Sequence, residues 1–171
     1  KPTKVKLLSD NTVVGIGYDD VGNRISLTDP DAGRTTYSHD ALGRVRTRTD
    51  ARGHKTSYTF DAVGRQTKIT GDDTVFAEYT YSDTGSESQQ LVKEESGDIY
   101  TTYTYDDYDR LSSKTRHIDG KDLLYKYYYN DIGQLYRIVY PGGVRVDYTY
   151  DCYGNRTSIA VGGKVVWRMG S

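Results

Sequence analysis

A motif of the form Tyr-x-Tyr-Asp-x-x-Gly-Arg recurs seven times in this 171-residue chain, with 21 or 24 residues from one copy to the next. A period of that length leaves few options: each copy is one small supersecondary unit that covers its faces only by stacking on its neighbours. The glycine that closes the motif serves as a marker and stands at Gly22, Gly43, Gly64, Gly85, Gly133 and Gly154, with Asp109 in the same slot of the fifth copy. Six residues before it (position −6) stand Ile16, Tyr37, Tyr58, Tyr79, Tyr103, Tyr127 and Tyr148. Position −4 holds Tyr18, His39, Phe60, Tyr81, Tyr105, Tyr129 and Tyr150, and position −3 holds Asp19, Asp40, Asp61, Ser82, Asp106, Asn130 and Asp151. A basic residue follows the marker directly at Arg44, Arg65 and Arg110, and one residue later at Arg24 and Arg156.

Within a unit, Arg44–Asp50 alternates polar and β-branched residues, and Ala51-Arg52-Gly53-His54 reads as a turn. Lys55–Asp61 is rich in Thr and aromatics at period two, and Ala62-Val63-Gly64-Arg65 turns the chain again. The spacing therefore predicts two strands and two turns per repeat, an all-β antiparallel meander with no room for helices. The two 24-residue units keep both turns, so their extra residues are expected to lengthen the strands around 91–106 and 111–130.

Side chains two apart on a strand share a face, which predicts a Tyr-studded face with equivalent Tyr about 9.6 Å apart on alternate strands. Ile25, Leu27, Val45, Ile69, Leu111, Leu135 and Ile159 are candidates to fill that face, and the opposite face is mostly Thr, Lys and Arg. Aromatic area has to replace aliphatic area here. Leu, Ile, Val and Phe make up only 33 of the 171 residues, whereas Tyr alone supplies 18. The formal net charge of −1 separates the chain from highly charged disordered sequences of similar aliphatic content and argues against a nucleic-acid partner. About fourteen strands would span roughly 67 Å, more than an open twisted sheet sustains, so the sheet is expected to curl. Its end strands, near Gly15 and at Val165-Val166-Trp167, are expected to be unpaired edges that recruit partners.

Side chains that could carry chemistry have a plainer role open to them. An acid and an electrophile could be read into Asp40 with Arg44, or Asp61 with Arg65, yet a pair that recurs in nearly every unit performs one backbone task each time. Its carboxylate caps turn N–H groups, and its guanidinium bonds the carboxylate or stacks on a Tyr. The acidic runs Asp29-Pro30-Asp31 and Asp106-Asp107-Tyr108-Asp109 lack the full ligand series of a calcium loop. His39, His54 and His117 are dispersed without zinc-ligand spacing, and the lone Cys152 occupies a turn slot with no base in view. No catalytic residue, metal or cofactor is expected. No apolar run approaches the roughly 20 residues of a membrane-spanning helix, and the chain is expected to be soluble. It begins Lys1-Pro2-Thr3 without Met or leader, as a segment of a longer polypeptide would.

Seven copies of Tyr-Asp-x-x-Gly-Arg in phase resemble the YD-repeat, or Rhs-repeat, family, over nearly the whole chain from Gly15 to Trp167. Departures are His39 for Tyr, Ser82 and Asn130 for Asp, Asp109 for Gly, and Gly85-Ser86 and Gly133-Gln134 without the Arg. The resemblance implies a division into a lead-in (1–14), seven repeats as one curved sheet (15–167) and a tail (168–171), the sheet being a strip of a larger β-shell such as those of Rhs and Tc-type toxins and the related teneurins. It further implies a secreted or cell-surface bacterial protein whose shell encloses and delivers a C-terminal toxin domain, with the remaining repeats and that domain as partners. The alternative implied is a carbohydrate-binding surface module, for which the Tyr would have to be open to sugar rings.

Overall fold

The computed structural model describes residues 4–6, 13–83 and 90–170, and Gly85 and Ser86 lie outside them. Sixteen strands and one three-residue 3-10 turn (Pro141–Gly143) make up its regular structure. They fall into two compact units divided between Glu78 and Tyr79. The first holds β1 (Lys4–Lys6), β2 (Val13–Tyr18), β3 (Arg24–Asp29), β4 (Gly33–His39), β5 (Val45–Thr49), β6 (Lys55–Phe60), β7 (Gln66–Gly71) and most of β8 (Thr74–Tyr81). The second holds β9 (Leu91–Ser96), β10 (Ile99–Tyr105), β11 (Leu111–Ile118), β12 (Lys121–Tyr129), β13 (Leu135–Val139), β14 (Arg145–Tyr150), β15 (Arg156–Val161) and β16 (Lys164–Arg168). In each unit every strand pairs antiparallel with its neighbour in sequence. The all-β meander expected from the period is therefore the fold, and among the described residues no helix is long and apolar enough to cross a membrane.

Two kinds of turn alternate. Marker turns follow one plan: the N–H of the glycine bonds the carbonyl at position −3, as Gly43 does to Asp40 at 3.0 Å, and the N–H at −3 bonds the carbonyl after the glycine, as Asp40 does to Arg44 at 2.9 Å. The glycine sits at positive φ, +77° at Gly43 and +97° at Gly64, a conformation that costs a residue with a Cβ about 1 kcal/mol or more. Asp109 fills the slot at φ +60°, in the left-handed region that Asp tolerates better than most residues. Turns at the other ends of the strands vary. Asp72-Asp73, Asp119-Gly120 and Gly162-Gly163 are two-residue turns with both residues at positive φ, the geometry that matches strand twist. Asp50 to His54 instead copies the marker plan, with Gly53 N–H on Asp50 O at 3.0 Å and Asp50 N–H on His54 O at 3.0 Å.

The marker hairpins at Gly22, Gly43, Gly64, Asp109, Gly133 and Gly154 carry a β-bulge three residues after the marker. Residue −4 faces +2, as Tyr105 faces Leu111, and −5 faces +4, as Thr104 faces Ser113, so Ser112 is left without an opposite number. The same skip occurs at Ile25, Arg46, Thr67, Tyr136 and Thr157. It moves +5 opposite −6, giving the pairs Ile16–Leu27, Tyr37–Arg48, Tyr58–Ile69, Tyr103–Lys114, Tyr127–Ile138 and Tyr148–Ile159. Strict alternation would put +2 and +5 on opposite faces; the extra residue lets both stand opposite Tyr-face positions. Ile25, expected on that face, is itself the bulge residue and is exposed.

Two further expectations are corrected. Only the second 24-residue unit lengthens its strands, to eight residues in β11 and nine in β12. In the first, the bond that elsewhere closes a marker turn runs from Ser82 N–H to Gln90 O at 2.9 Å, and β9 and β10 keep ordinary lengths of six and seven residues. Gly15 is not at an edge, because β1 pairs with β2 through Lys4 and Gly15. No hydrophobic side chain among the described residues is buried; only Thr35 and Thr101, at 8% exposure, reach that level among polar ones. The Tyr at −6, expected to pack in register, are half-buried in every described unit.

Candidate functional site

The recurring feature of each unit is the marker turn, and its chemistry begins with the carboxylate at −3. Asp40 Oδ1 accepts the N–H groups of Leu42 (2.9 Å) and Arg44 (3.0 Å), while Oδ2 accepts Arg44 Nε at 2.7 Å. Asp61 repeats this with Val63, Arg65 and Arg65 Nε at 3.1, 2.8 and 2.6 Å, and Asp106 with Tyr108, Arg110 and Arg110 Nε at 3.0, 3.0 and 2.7 Å. Where the following residue is not Arg, the amide takes over: Asn23 Nδ2 donates to Asp19 Oδ2 and Asn155 Nδ2 to Asp151 Oδ2, both at 3.0 Å. Asn130 and Gln134 form an uncharged version, Asn130 Oδ1 accepting Gln134 N–H and Asn130 Nδ2 donating to Gln134 Oε1, both at 2.8 Å. A side chain that accepts from residues two and four ahead fixes a turn wherever it stands, which explains the repetition of Asp and Asn at this position.

These bonds hold the carboxyls below their ordinary value. At Asp40 and Asp61 desolvation pushes upward most strongly and is outweighed by the amides and guanidinium of Arg44 and Arg65; at Asp19 it is outweighed by Asn23. At Asp106 and Asp151 the side chains of Arg110 and Asn155 dominate. Such carboxylates are saturated acceptors that stay ionised at neutral pH, poorly suited to proton transfer.

The residue just after one marker reaches the next marker turn. A Cβ built on Gly43 would lie 3.1 Å from Asn23 Oδ1, one on Gly64 3.0 Å from an Arg44 guanidinium nitrogen, and one on Gly154 3.3 Å from Gln134 Nε2. Gln90 Nε2 donates to Asp109 Oδ1 at 2.6 Å in the unit that has Asp for Gly. The marker glycine thus answers two demands, a positive φ and a close neighbour. The same Arg residues stack onward: Arg44 lies 4.5 Å from the Phe60 ring centre and Arg110 4.6 Å from that of Tyr129, each the −4 aromatic of the next unit. Arg24 covers Tyr37 at 4.6 Å, and Arg156 covers Tyr148 of its own unit at 4.4 Å.

The hydroxyl at −4 adds a third tie that the sequence does not reveal. Tyr105, Tyr129 and Tyr150 donate to the carbonyls of Leu91, Leu111 and Leu135 at 2.8, 3.0 and 2.6 Å, in each case the start of the preceding unit's returning strand. Tyr103 OH donates to Glu94 Oε1 at 2.6 Å. Desolvation raises the phenol pKa of Tyr103, Tyr105, Tyr127, Tyr129 and Tyr148. The other face carries hydroxyl pairs at −5 and +4, such as Ser38 with Thr47 at 2.6 Å; in the sixth unit −5 is Tyr128, which faces Arg137, and its ring lies 6.4 Å from that of the bulge residue Tyr136.

Other residues singled out in the sequence stay apart. Asp29 Oδ1 accepts the N–H groups of Asp31 and Ala32, His54 Nδ1 lies 2.6 Å from Asp72, and His117 stacks on Tyr100 at 4.0 Å. Tyr18, Tyr79 and Tyr81 lie half-buried on β2 and β8, Gly22 and Gly133 take the positive φ of the marker, and Gly85 is outside the described residues. A position the motif did not draw attention to is the one just before the marker, occupied by Val21, Leu42, Val63, Tyr108, Ile132 and Tyr153.

A meander of hairpins tied turn to turn from the same position of the motif defines a repeat protein. Residues 18–54 and 39–75 match the model of the RHS repeat, the family that the recurring motif resembles. No curated protein matches it in sequence. Among solved structures it resembles TcdB2-TccC3, with TM-score 0.71 and 13% identity over 92% of this chain. It also resembles the Tc holotoxin pore of Photorhabdus luminescens, with TM-score 0.70 and 12% identity over 97% of this chain. In both cases it spans 11% of the other chain's length, and at such identity the likeness is one of fold.

Proposed function

We propose that this structural Rhs-repeat segment is one strip of a wall that encloses a C-terminal toxin domain of a secreted bacterial protein until delivery, with no reaction of its own. The observation that carries this reading is the absence of any buried hydrophobic side chain among the described residues. A sheet with a half-buried aromatic face is stabilised within itself by hydrogen bonds and cross-strand pairs, and the free face is available to line a compartment. The ties between consecutive turns support a mechanical role, since each unit positions the next. They also weigh against the carbohydrate-binding alternative: Tyr105, Tyr129 and Tyr150 have their hydroxyls committed to backbone carbonyls, and Arg110 covers the Tyr129 ring.

Limited proteolysis of the longer polypeptide tests the reading. A domain downstream of the repeats is expected to resist protease in the intact protein and to be cut when the wall is opened by combining Tyr105→Ala, Tyr129→Ala and Tyr150→Ala. A downstream domain cut equally fast in both proteins, or a parent polypeptide with no further repeats, would overturn it.

A further inference from the structure

The residue before the marker is a large apolar side chain in every described marker turn, Asp109 variant included: Val21, Leu42 and Val63 in the first unit, Tyr108, Ile132 and Tyr153 in the second; the look-alike turn at the other rim, Asp50-Ala51-Arg52-Gly53, has Arg52 there. All six are between 67% and 87% exposed. Nothing in the turn requires this, because a four-residue turn of this kind accepts most residues at that place. The opposite turns make the contrast: residues 30–32, 51–53, 72–73, 97–98, 119–120, 141–143 and 162–163 contain no Val, Leu, Ile, Met, Phe, Tyr or Trp. One rim of each unit is apolar at a fixed period and the other is not.

We propose that the marker rim is a docking surface for a second marker rim of the same repeats, supplied in solution by a second copy of this chain. Three features select that occupant. The apolar side chains recur every second strand, about 9.6 Å apart, and an object of the same pitch meshes with such a row, a second strip of these hairpins being one by construction. The backbone beneath is held rigid, since the N–H groups of Leu42, Val63, Tyr108 and Tyr153 are each bonded to the −3 carboxylate, so little order has to be imposed on docking. The chain's net charge of −1 presents no repulsion between copies. A pairing of like rims is self-complementary, as a two-fold interface requires. Within a longer protein the same chemistry would join one run of repeats to another, and the inference stands whether or not a toxin lies inside.

Sedimentation velocity over a hundredfold range of concentration reads this out. The chain is expected to move from monomer to dimer across the range. A variant carrying Val21→Asn, Leu42→Asn, Val63→Asn, Tyr108→Asn, Ile132→Asn and Tyr153→Asn is expected to dimerise at least tenfold more weakly, with an unchanged far-ultraviolet spectrum. Val166→Lys, which places a charge on the edge strand β16, separates rim docking from edge-to-edge strand pairing and is expected to leave dimerisation unaltered. Should the sixfold variant fail to fold, each triple variant, one per unit, is measured instead and is expected to weaken the dimer. A chain that stays monomeric throughout, rim variants that associate as the parent does, or an edge variant that abolishes the dimer would each overturn the proposal.

Discussion

Position −4 offers a test that can be run in both directions, because one unit has Phe where three others use a tyrosine hydroxyl. Tyr105, Tyr129 and Tyr150 donate to Leu91, Leu111 and Leu135 at 2.8, 3.0 and 2.6 Å, whereas Phe60 has nothing to offer the equivalent carbonyl of Val45. Tyr129→Phe removes one neutral hydrogen bond and leaves the ring, and Arg110 above it, in place. Such a bond is worth about 1 kcal/mol net, and since the site is half-buried, water can reach the abandoned carbonyl and spare it the full penalty of an unsatisfied group. For a chain of this length about 1 kcal/mol lowers the melting temperature by roughly 2–4 °C. The triple Tyr→Phe variant should lose about 3 kcal/mol, as the three hydroxyls serve different carbonyls. Phe60→Tyr is the reciprocal change and should gain about 0.5–1 kcal/mol by donating to Val45. Urea denaturation followed by circular dichroism measures all of these. A triple variant as stable as the parent, or a Phe60→Tyr variant that is less stable, would refute the view that the hydroxyl at −4 ties one unit to the last.

Other expectations follow from the turns and the titrating groups. Gly53 and Gly64 both have positive φ, but a Cβ on Gly53 meets nothing within 4 Å while one on Gly64 meets Arg44; Gly53→Ala should cost about 1 kcal/mol and Gly64→Ala about 2, the difference being the displaced guanidinium stack. Asp109→Gly should stabilise the fifth turn by about 0.5–1 kcal/mol in the same urea assay, relief of the left-handed backbone outweighing the exposed bond from Gln90. Asp19, Asp40, Asp61, Asp72, Asp106 and Asp151 all have folded pKa values below the ordinary 3.8. Their contribution is therefore present above that value and lost as pH falls through the lower folded ones, so a pH series of thermal melts should show stability falling below about pH 4. At the alkaline end the raised phenols of Tyr105, Tyr127, Tyr129 and Tyr148 stay protonated longer folded than unfolded, so their contribution is intact below the ordinary value of 10.0 and declines above it. Tyrosinate absorbance should then rise together with unfolding.

How much of this was legible in the sequence depends on the range of the interaction concerned. The positions of the marker turns, the pairing of Asp40 with Arg44 and Asp61 with Arg65, and the all-β meander could all be read from the chain, because an Asp that accepts from residues two and four ahead acts within five residues. The period then repeats that local instruction. The row Val21, Leu42, Val63, Tyr108, Ile132 and Tyr153 was equally present as a periodic pattern, but its meaning depended on exposure, which only the fold supplies. Tertiary structure alone decided the bulge after each described marker turn of ordinary length, which places +2 and +5 opposite Tyr-face positions and puts Ile25 outside that set. It also decided the closure of Ser82 on Gln90, the pairing of β1 that covers Gly15, and the reach of Asn23, Arg44 and Gln134 to the next turn. Each of these joins residues on different strands, where a one-residue shift in register changes every partner, and no local propensity encodes which partner wins.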